Sequence, residues 1–225
     1  MLDISITVSY NSLESVFYLH IVYVHYHTEF GRDVKAKEAF ALEELLQLAH
    51  ALGFTAAAPL AATLTPLPAV RQMCRENRCG CYATRWSCPP GCGSFETLAG
   101  RLARCDRGIL VQTTARGQDA FDLEAIRLAE QRHKERFSSL ARRARQLFPD
   151  CLPLSAGGCR LCIRCTYPKA PCRFPQRMLP SMEAYGLLVA DVCRAAHLPY
   201  YYGENTVTFT SCVLLAREEP KERRP

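Results

Sequence analysis

Cys159, Cys162 and Cys165 follow one another at intervals of three, and Cys172 comes seven residues later. Three sulfurs at that spacing sit on one tight loop around a common centre, and a fourth reached by a short return completes a four-point grip. The chain must therefore fold as a scaffold that presents this loop. Gly157 and Gly158 allow a sharp turn into it. Pro168, Pro171 and Pro175 fix its exit and carry no N–H that needs a partner. Ferredoxin-type loops hold an iron–sulfur cubane in this way. Zinc is the rival, although structural zinc sites usually draw on two separated cysteine pairs.

A second group precedes it: Cys74, Cys79, Cys81, Cys88 and Cys92, five thiols in nineteen residues. The spacing matches no common ferredoxin or zinc-finger pattern. Cys79 and Cys81 fall on opposite sides of any extended segment, so the expected ligands are Cys74, Cys79, Cys88 and Cys92, with Cys81 the competitor for the fourth place. A site with three thiolates and one open iron is the alternative. Arginines interleave both groups: Arg71, Arg75, Arg78 and Arg85 in the first, Arg160, Arg164, Arg173 and Arg177 in the second. Cations and N–H donors stabilise the reduced, more negative form of a four-thiolate cubane. On this reading Arg164→Gln makes the second cluster harder to reduce.

Thirteen cysteines cannot all pair with one another. The N-terminus has no basic region ahead of its apolar run and no small-residue cleavage site after it, so we expect a reducing, cytoplasmic setting in which clustered thiols are metal ligands. The densest apolar stretch, Val16 to Tyr26, is about half the ~20 residues of a membrane span, and His20 and His25 interrupt it. The net charge of +6 is not read as a nucleic-acid footprint, because the basic run from Arg132 to Arg145 includes Glu135 and reads as a solvated helix face.

With 225 residues, 48% hydrophobic and 22% charged, the chain is long enough to bury a core of its own. Residues 1–32 read as a variable extension with a weak strand pattern at Leu19, Ile21 and Tyr23, residues 33–216 as one cysteine-rich domain, and residues 217–225 as a charged tail. Helices are expected over 36–52, from the Ser94 N-cap to about Arg104, over 119–148, and from Ser181 to about Ala196. Strands are expected at Ile109–Thr113 and Leu152–Ser155, and a hairpin from Tyr200–Tyr202 and Thr206–Leu215. The class is α+β with an α/β-like interleaving: a small mixed β-sheet covered by helices, carrying two cysteine-rich loops.

Three blocks in order carry a resemblance. They are Arg71-Gln-Met-Cys74-Arg-Glu-Asn77-Arg-Cys79-Gly80 with Trp86-Ser-Cys88-Pro-Pro; Ala156-Gly-Gly-Cys159 through Cys162, Cys165, Tyr167 and Cys172 to Ser181-Met-Glu-Ala-Tyr-Gly186; and Gly203-Glu-Asn205-Thr-Val-Thr208. Together, from about Asp33 to Leu215, they resemble the cysteine-rich predicted metal-binding proteins of the domain of unknown function DUF2284. The resemblance implies metal binding at Cys74, Cys79, Cys88, Cys159, Cys162, Cys165 and Cys172, and supplies no reaction. The thiols at Cys81 and Cys92 depart from its pattern.

The remaining polar candidates have plainer readings. His133 lies on the apolar stripe of the long helix and reads as a hydrogen-bonded core residue. Glu183 reads as a first-turn carboxylate, and Asp119 and Asp122 as helix-start residues. Trp86 is expected to keep water from the first site, and Cys105, Cys193 and Cys212 to be small core residues. The resulting expectation is an iron–sulfur protein with two [4Fe-4S] clusters that exchanges electrons with a protein partner. The alternatives are a redox enzyme with an open-site cluster and a zinc-stabilised binding module.

Overall fold

The computed structural model describes residues 39–61, 63–119 and 122–217. The expected extension at 1–32 and most of the tail lie outside those residues. By internal contacts the chain divides into residues 1–41 and 42–225. Of the first unit only residues 39–41 are described, as the opening turn of a helix.

Helix α1, residues 39–51, buries Leu45 and Ala49, one turn apart. Then come β1 (Ala56–Leu60), α2 (Pro68–Met73), α3 (Phe95–Ala103), β2 (Cys105–Arg116), α4 (Leu123–Leu147), β3 (Leu152–Leu154), α5 (Val189–Ala195) and β4 (Thr206–Ala216). Short 3₁₀ turns occupy Cys74–Glu76 and Glu183–Tyr185. The four strands form one sheet in the order β1-β2-β4-β3, with every adjacent pair antiparallel. The expected mixed sheet is thus antiparallel. The parallel element is a single bridge between Ser155 and Ser181.

Alternation along β2 and β4 sends successive side chains to opposite faces. Ile109, Val111, Val213 and Leu215 pack with Leu45, Ala49, Phe54, Phe137, Leu140 and Ala144 under α1 and α4. Leu110, Cys212 and Leu214 pack on the other side with Leu98, Leu102, Met182, Tyr185, Val192 and Cys193. Two helical layers therefore clamp one sheet, the α+β arrangement the sequence implies. Pro59 and Pro153 lie in β1 and β3, the edge strands, where a missing N–H breaks no ladder.

Ser94 caps α3 by accepting from the Thr97 N–H at 3.2 Å, and Asp122 caps α4 by accepting from the Ala125 N–H at 3.0 Å. The stripe of α4 buries Ala129, His133, Phe137, Leu140 and Ala144. Two expectations fail. The helix from Ser181 to Ala196 is two pieces, because Gly186 adopts φ +78° and ends the 3₁₀ turn before α5 begins. The expected hairpin is absent, because β4 spends its two edges on β2 and β3 and residues 200–202 form no strand.

Candidate metal centre

Both cysteine groups fall mainly in irregular chain between α2 and α3 and between β3 and α5. The scaffold holds the second loop by its entry. The Lys134 ammonium of α4 donates to the Ala156 and Gly158 carbonyls at 2.7 and 2.8 Å. The Arg160 guanidinium pairs with Glu130 of the same helix at 2.7 Å. The Ala156 N–H donates to Ser211 Oγ at 2.9 Å. That hydroxyl also meets His133 Nε2 at 2.7 Å, while His133 Nδ1 meets Thr113 Oγ1 at 3.0 Å. His133 is fully buried, and burial holds its pKa down at about 3. It is the satisfied core histidine its position on the stripe implies.

Cys159, Cys162, Cys165 and Cys172 line one cavity together with Arg85, Trp86, Ser87, Leu161 and Phe174. The Cys159 thiol is pushed up chiefly by burial. Cys165 goes the other way. Burial raises its pKa, but the Tyr167, Trp86 and Thr166 backbone N–H groups and the Arg85 charge together outweigh it. Such N–H donors favour a thiolate.

The first group divides. Cys74, Cys79, Cys81 and Cys88 line a second cavity with Gly157, Gly158 and Glu183. Cys92 is not among the residues lining it. Cys92 Sγ instead accepts from Arg71 Nη1 at 3.6 Å, and the residue packs against the α3 side of the core. Burial lifts the Cys74 thiol, and the Glu183 charge lifts it further. Burial, the largest cause, pushes Cys88 up to about 12. A thiol so placed keeps its proton at neutral pH unless a cation replaces it.

The two cavities meet at a wall where neighbouring residues face opposite ways: Ser87 and Cys159 line one, and Cys88 and Gly158 line the other. The buried Ser87 hydroxyl accepts from the Cys159 N–H at 3.0 Å and lies 3.6 Å from Cys88 Sγ. A Cβ added to Gly158 would lie 2.9 Å from Cys81 Sγ and 3.3 Å from Cys88 Sγ. The glycine is therefore needed for close approach of a backbone to two sulfurs, more than for a turn. The positive φ, +62°, belongs to Gly157.

Several cations stand elsewhere than the sequence implies. Arg85, counted with the first group, lines the second cavity and donates from Nη1 to the Cys159 carbonyl at 2.8 Å. Trp86 also serves the second cavity. Its ring meets Tyr167 edge-on at 4.9 Å, and Nε1 donates to the Ala170 carbonyl at 3.1 Å. Arg164 is exposed, Arg173 donates to the Arg164 carbonyl, and Arg177 lies over the Phe174 ring. Arg71 is bound by the Ala184 and Gly93 carbonyls.

Cys105, Cys193 and Cys212 are buried in the core as expected. So is Cys151, which no spacing singles out; burial lifts its thiol to about 11. Among the described residues, no three His, Cys, Asp or Glu side chains gather closely enough to hold one metal ion. The buried side-chain atoms without a hydrogen-bond partner are, among the described residues, Arg85 Nε and Glu183 Oε2. One borders each cavity. A donor and an acceptor left unmet beside clustered thiols fit bound groups that carry both negative sulfur and positive metal.

Fold and cavities together define an α+β protein with one antiparallel sheet and two adjoining, cysteine-lined pockets built from its loops. The model of the predicted metal-binding protein family DUF2284 matches residues 61–215, and the chain belongs to that family. No curated protein and no solved structure matches it. Among the described residues, no helix is long and apolar enough to cross a membrane.

Proposed function

We propose that the protein carries two iron–sulfur clusters of the [4Fe-4S] type and exchanges single electrons with a protein partner in the reducing cytoplasm. Cys159, Cys162, Cys165 and Cys172 hold the second cluster. Cys74, Cys79 and Cys88 hold the first, whose fourth position falls to another donor of the same cavity. A four-iron cluster supplies one-electron redox chemistry at a potential set by its surroundings.

The observation that carries this reading is the shared wall. Thiols spread around a cavity suit a centre in which each sulfur takes a different iron. A single tetrahedral zinc, at ~2.3 Å from each sulfur, draws its four sulfurs to within about 3.8 Å of one another. Two such cavities separated by Ser87 and Gly158 give an electron a short path from one to the other. The residues of the chain shape that path. Ser87 fixes the Cys159 backbone against the Cys88 sulfur, Trp86, backed by Tyr167, lines the second cavity, and Arg85 with the N–H groups around Cys165 favours the reduced, more negative state.

Anaerobic purification followed by iron, acid-labile sulfide and zinc analysis tests the reading. The expected product is brown, with roughly eight irons and eight sulfides per chain. Colourless protein with zinc and no labile sulfide overturns it in favour of a zinc-stabilised binding module.

A further inference from the structure

We propose that Glu183 is the non-cysteine donor of the first centre: its carboxylate binds the fourth iron and makes that corner exchangeable. The inference rests on the iron–sulfur reading and deepens it.

Glu183 opens the 3₁₀ turn Glu183–Tyr185, and the turn is fixed on every side. Ser181 Oγ accepts from the Ala184 N–H at 3.2 Å, and Arg71 donates to the Ala184 carbonyl. Met182, Ala184 and Tyr185 are buried. Glu183 is one of the residues that line the cavity together with Cys74, Cys79, Cys81 and Cys88. Its carbonyl lies 4.0 Å from Cys74 Sγ.

Oε2 is shut away from solvent and receives no hydrogen bond. A carboxylate oxygen in that state is costly unless a cation or donor meets it. A helix dipole does not answer the need, since a three-residue turn has almost none and a carboxylate serving one stays solvated. The Arg71 guanidinium is directed to the Gly93 and Ala184 carbonyls and to Cys92 Sγ. What the cavity itself can offer the oxygen is a metal ion held by the neighbouring thiolates.

Cys81 is the competing donor, and its situation differs. Its thiol already donates to the Cys79 carbonyl at 3.4 Å and packs against Gly158. Unlike Glu183 Oε2, it is not a buried polar atom left without a partner. An oxygen donor binds iron less firmly than a thiolate in a sulfur-rich site. The corner held by Glu183 is thus the one where a small anionic ligand can displace a protein group. The same cavity continues past Leu187, Leu188 and Tyr200, and Leu188 and Tyr200 are exposed, which gives such a ligand a way in.

The test compares the anaerobic full-length wild type with Glu183→Gln, Glu183→Ala and Cys81→Ser, by iron and sulfide content and by electron spin resonance of the reduced protein. Both Glu183 variants should lose about one iron per chain and change the first centre's signal. The second centre's signal should stay unchanged, which also shows that the variants fold. Cys81→Ser should match the wild type, and added formate should restore the signal of Glu183→Ala. Full iron content and a wild-type first-centre spectrum in both Glu183 variants overturn the proposal, as does iron loss confined to Cys81→Ser. Wild-type protein without iron and labile sulfide refutes the iron–sulfur reading beneath it, a distinct failure seen before any variant is compared.

Discussion

Arg85, whose buried Nε has no partner, lines the second cavity, and Glu183, whose buried Oε2 has none, lines the first. The cavities also differ in how they are held. The second is tied to α4 through Lys134, Arg160 and the His133–Ser211–Ala156 chain. The first is shaped by its own turns and by Gly158 from the other loop. Two sets of four thiols thus sit in two different electrostatic settings. A donor pointed at a sulfur-rich centre stabilises added negative charge. A carboxylate beside one would stabilise metal charge and leave that corner exchangeable. On the proposed iron–sulfur reading, the contrast assigns electron storage to the second centre and ligand exchange to the first.

The shared wall is where this comparison breaks most easily. In Gly158→Ala the new methyl would stand 2.9 Å from Cys81 Sγ and 3.3 Å from Cys88 Sγ. Both sulfurs must shift, at a cost of about 1–3 kcal/mol for overpacking. The expected result is loss of the first centre, about half the iron, with the second retained. Gly157→Ala is the control. It meets nothing within 4 Å and strains only a backbone at φ +62°, so it should cost roughly 1–2 kcal/mol and keep its iron. Equal iron loss in both would show that turn geometry, and not close approach to sulfur, makes the glycine pair necessary. Metal analysis with a urea midpoint for each variant decides.

How far the sequence revealed all this depends on the range of the interaction. The second loop was legible because Cys159, Cys162 and Cys165 are brought together by local spacing, and the four thiols do line one cavity. Arg85 and Trp86 were assigned to the nearer cysteines in sequence, yet they cross to the other loop, which only tertiary packing decides. Cys92 looked like a ligand by spacing, whereas Arg71 and the α3 side of the core place it outside the cavity lining. Glu183 passed for a helix-start residue because Met182, Tyr185, Val192 and Ala196 keep a helical rhythm across Gly186. They do so because the turn and α5 pack on the same core. β1 was missed for want of β-branched residues in Ala-Ala-Ala-Pro-Leu. Pairing with β2 makes it a strand.

The tether to α4 offers a finer test. His133 stays neutral in the fold down to about pH 3, while in the unfolded chain it takes a proton near pH 6.5. Between those values the unfolded state binds more protons, so this group's stabilisation is full above pH 6.5 and falls as the pH falls. The slope is about 1.4 kcal/mol per pH unit, or roughly 2 kcal/mol from pH 6.5 to pH 5. His133→Phe removes this proton linkage while leaving the carboxylates in place. Urea titrations at the two pH values should therefore show a smaller acid loss for the variant by about that amount. Equal losses would mean that the histidine is not held neutral in the folded protein.

The smallest effect probes the donor side of the contrast. Arg85→Gln keeps a polar side chain at the second cavity but removes the charge that acts on Cys165 and the donor that reaches the Cys159 carbonyl. Losing one charge-assisted contact weakens the reduced state by about 1 kcal/mol, which lowers a one-electron midpoint by roughly 40 mV. Arg164→Gln, which the spacing alone singled out, removes an exposed charge that solvent and salt already screen, so its shift should be much smaller. A redox titration of both variants, followed by spin resonance, ranks them. If Arg164 moves the second centre's potential more than Arg85 does, the orphaned Arg85 Nε is not aimed at the cluster. The opposition between the two cavities then loses its positive half.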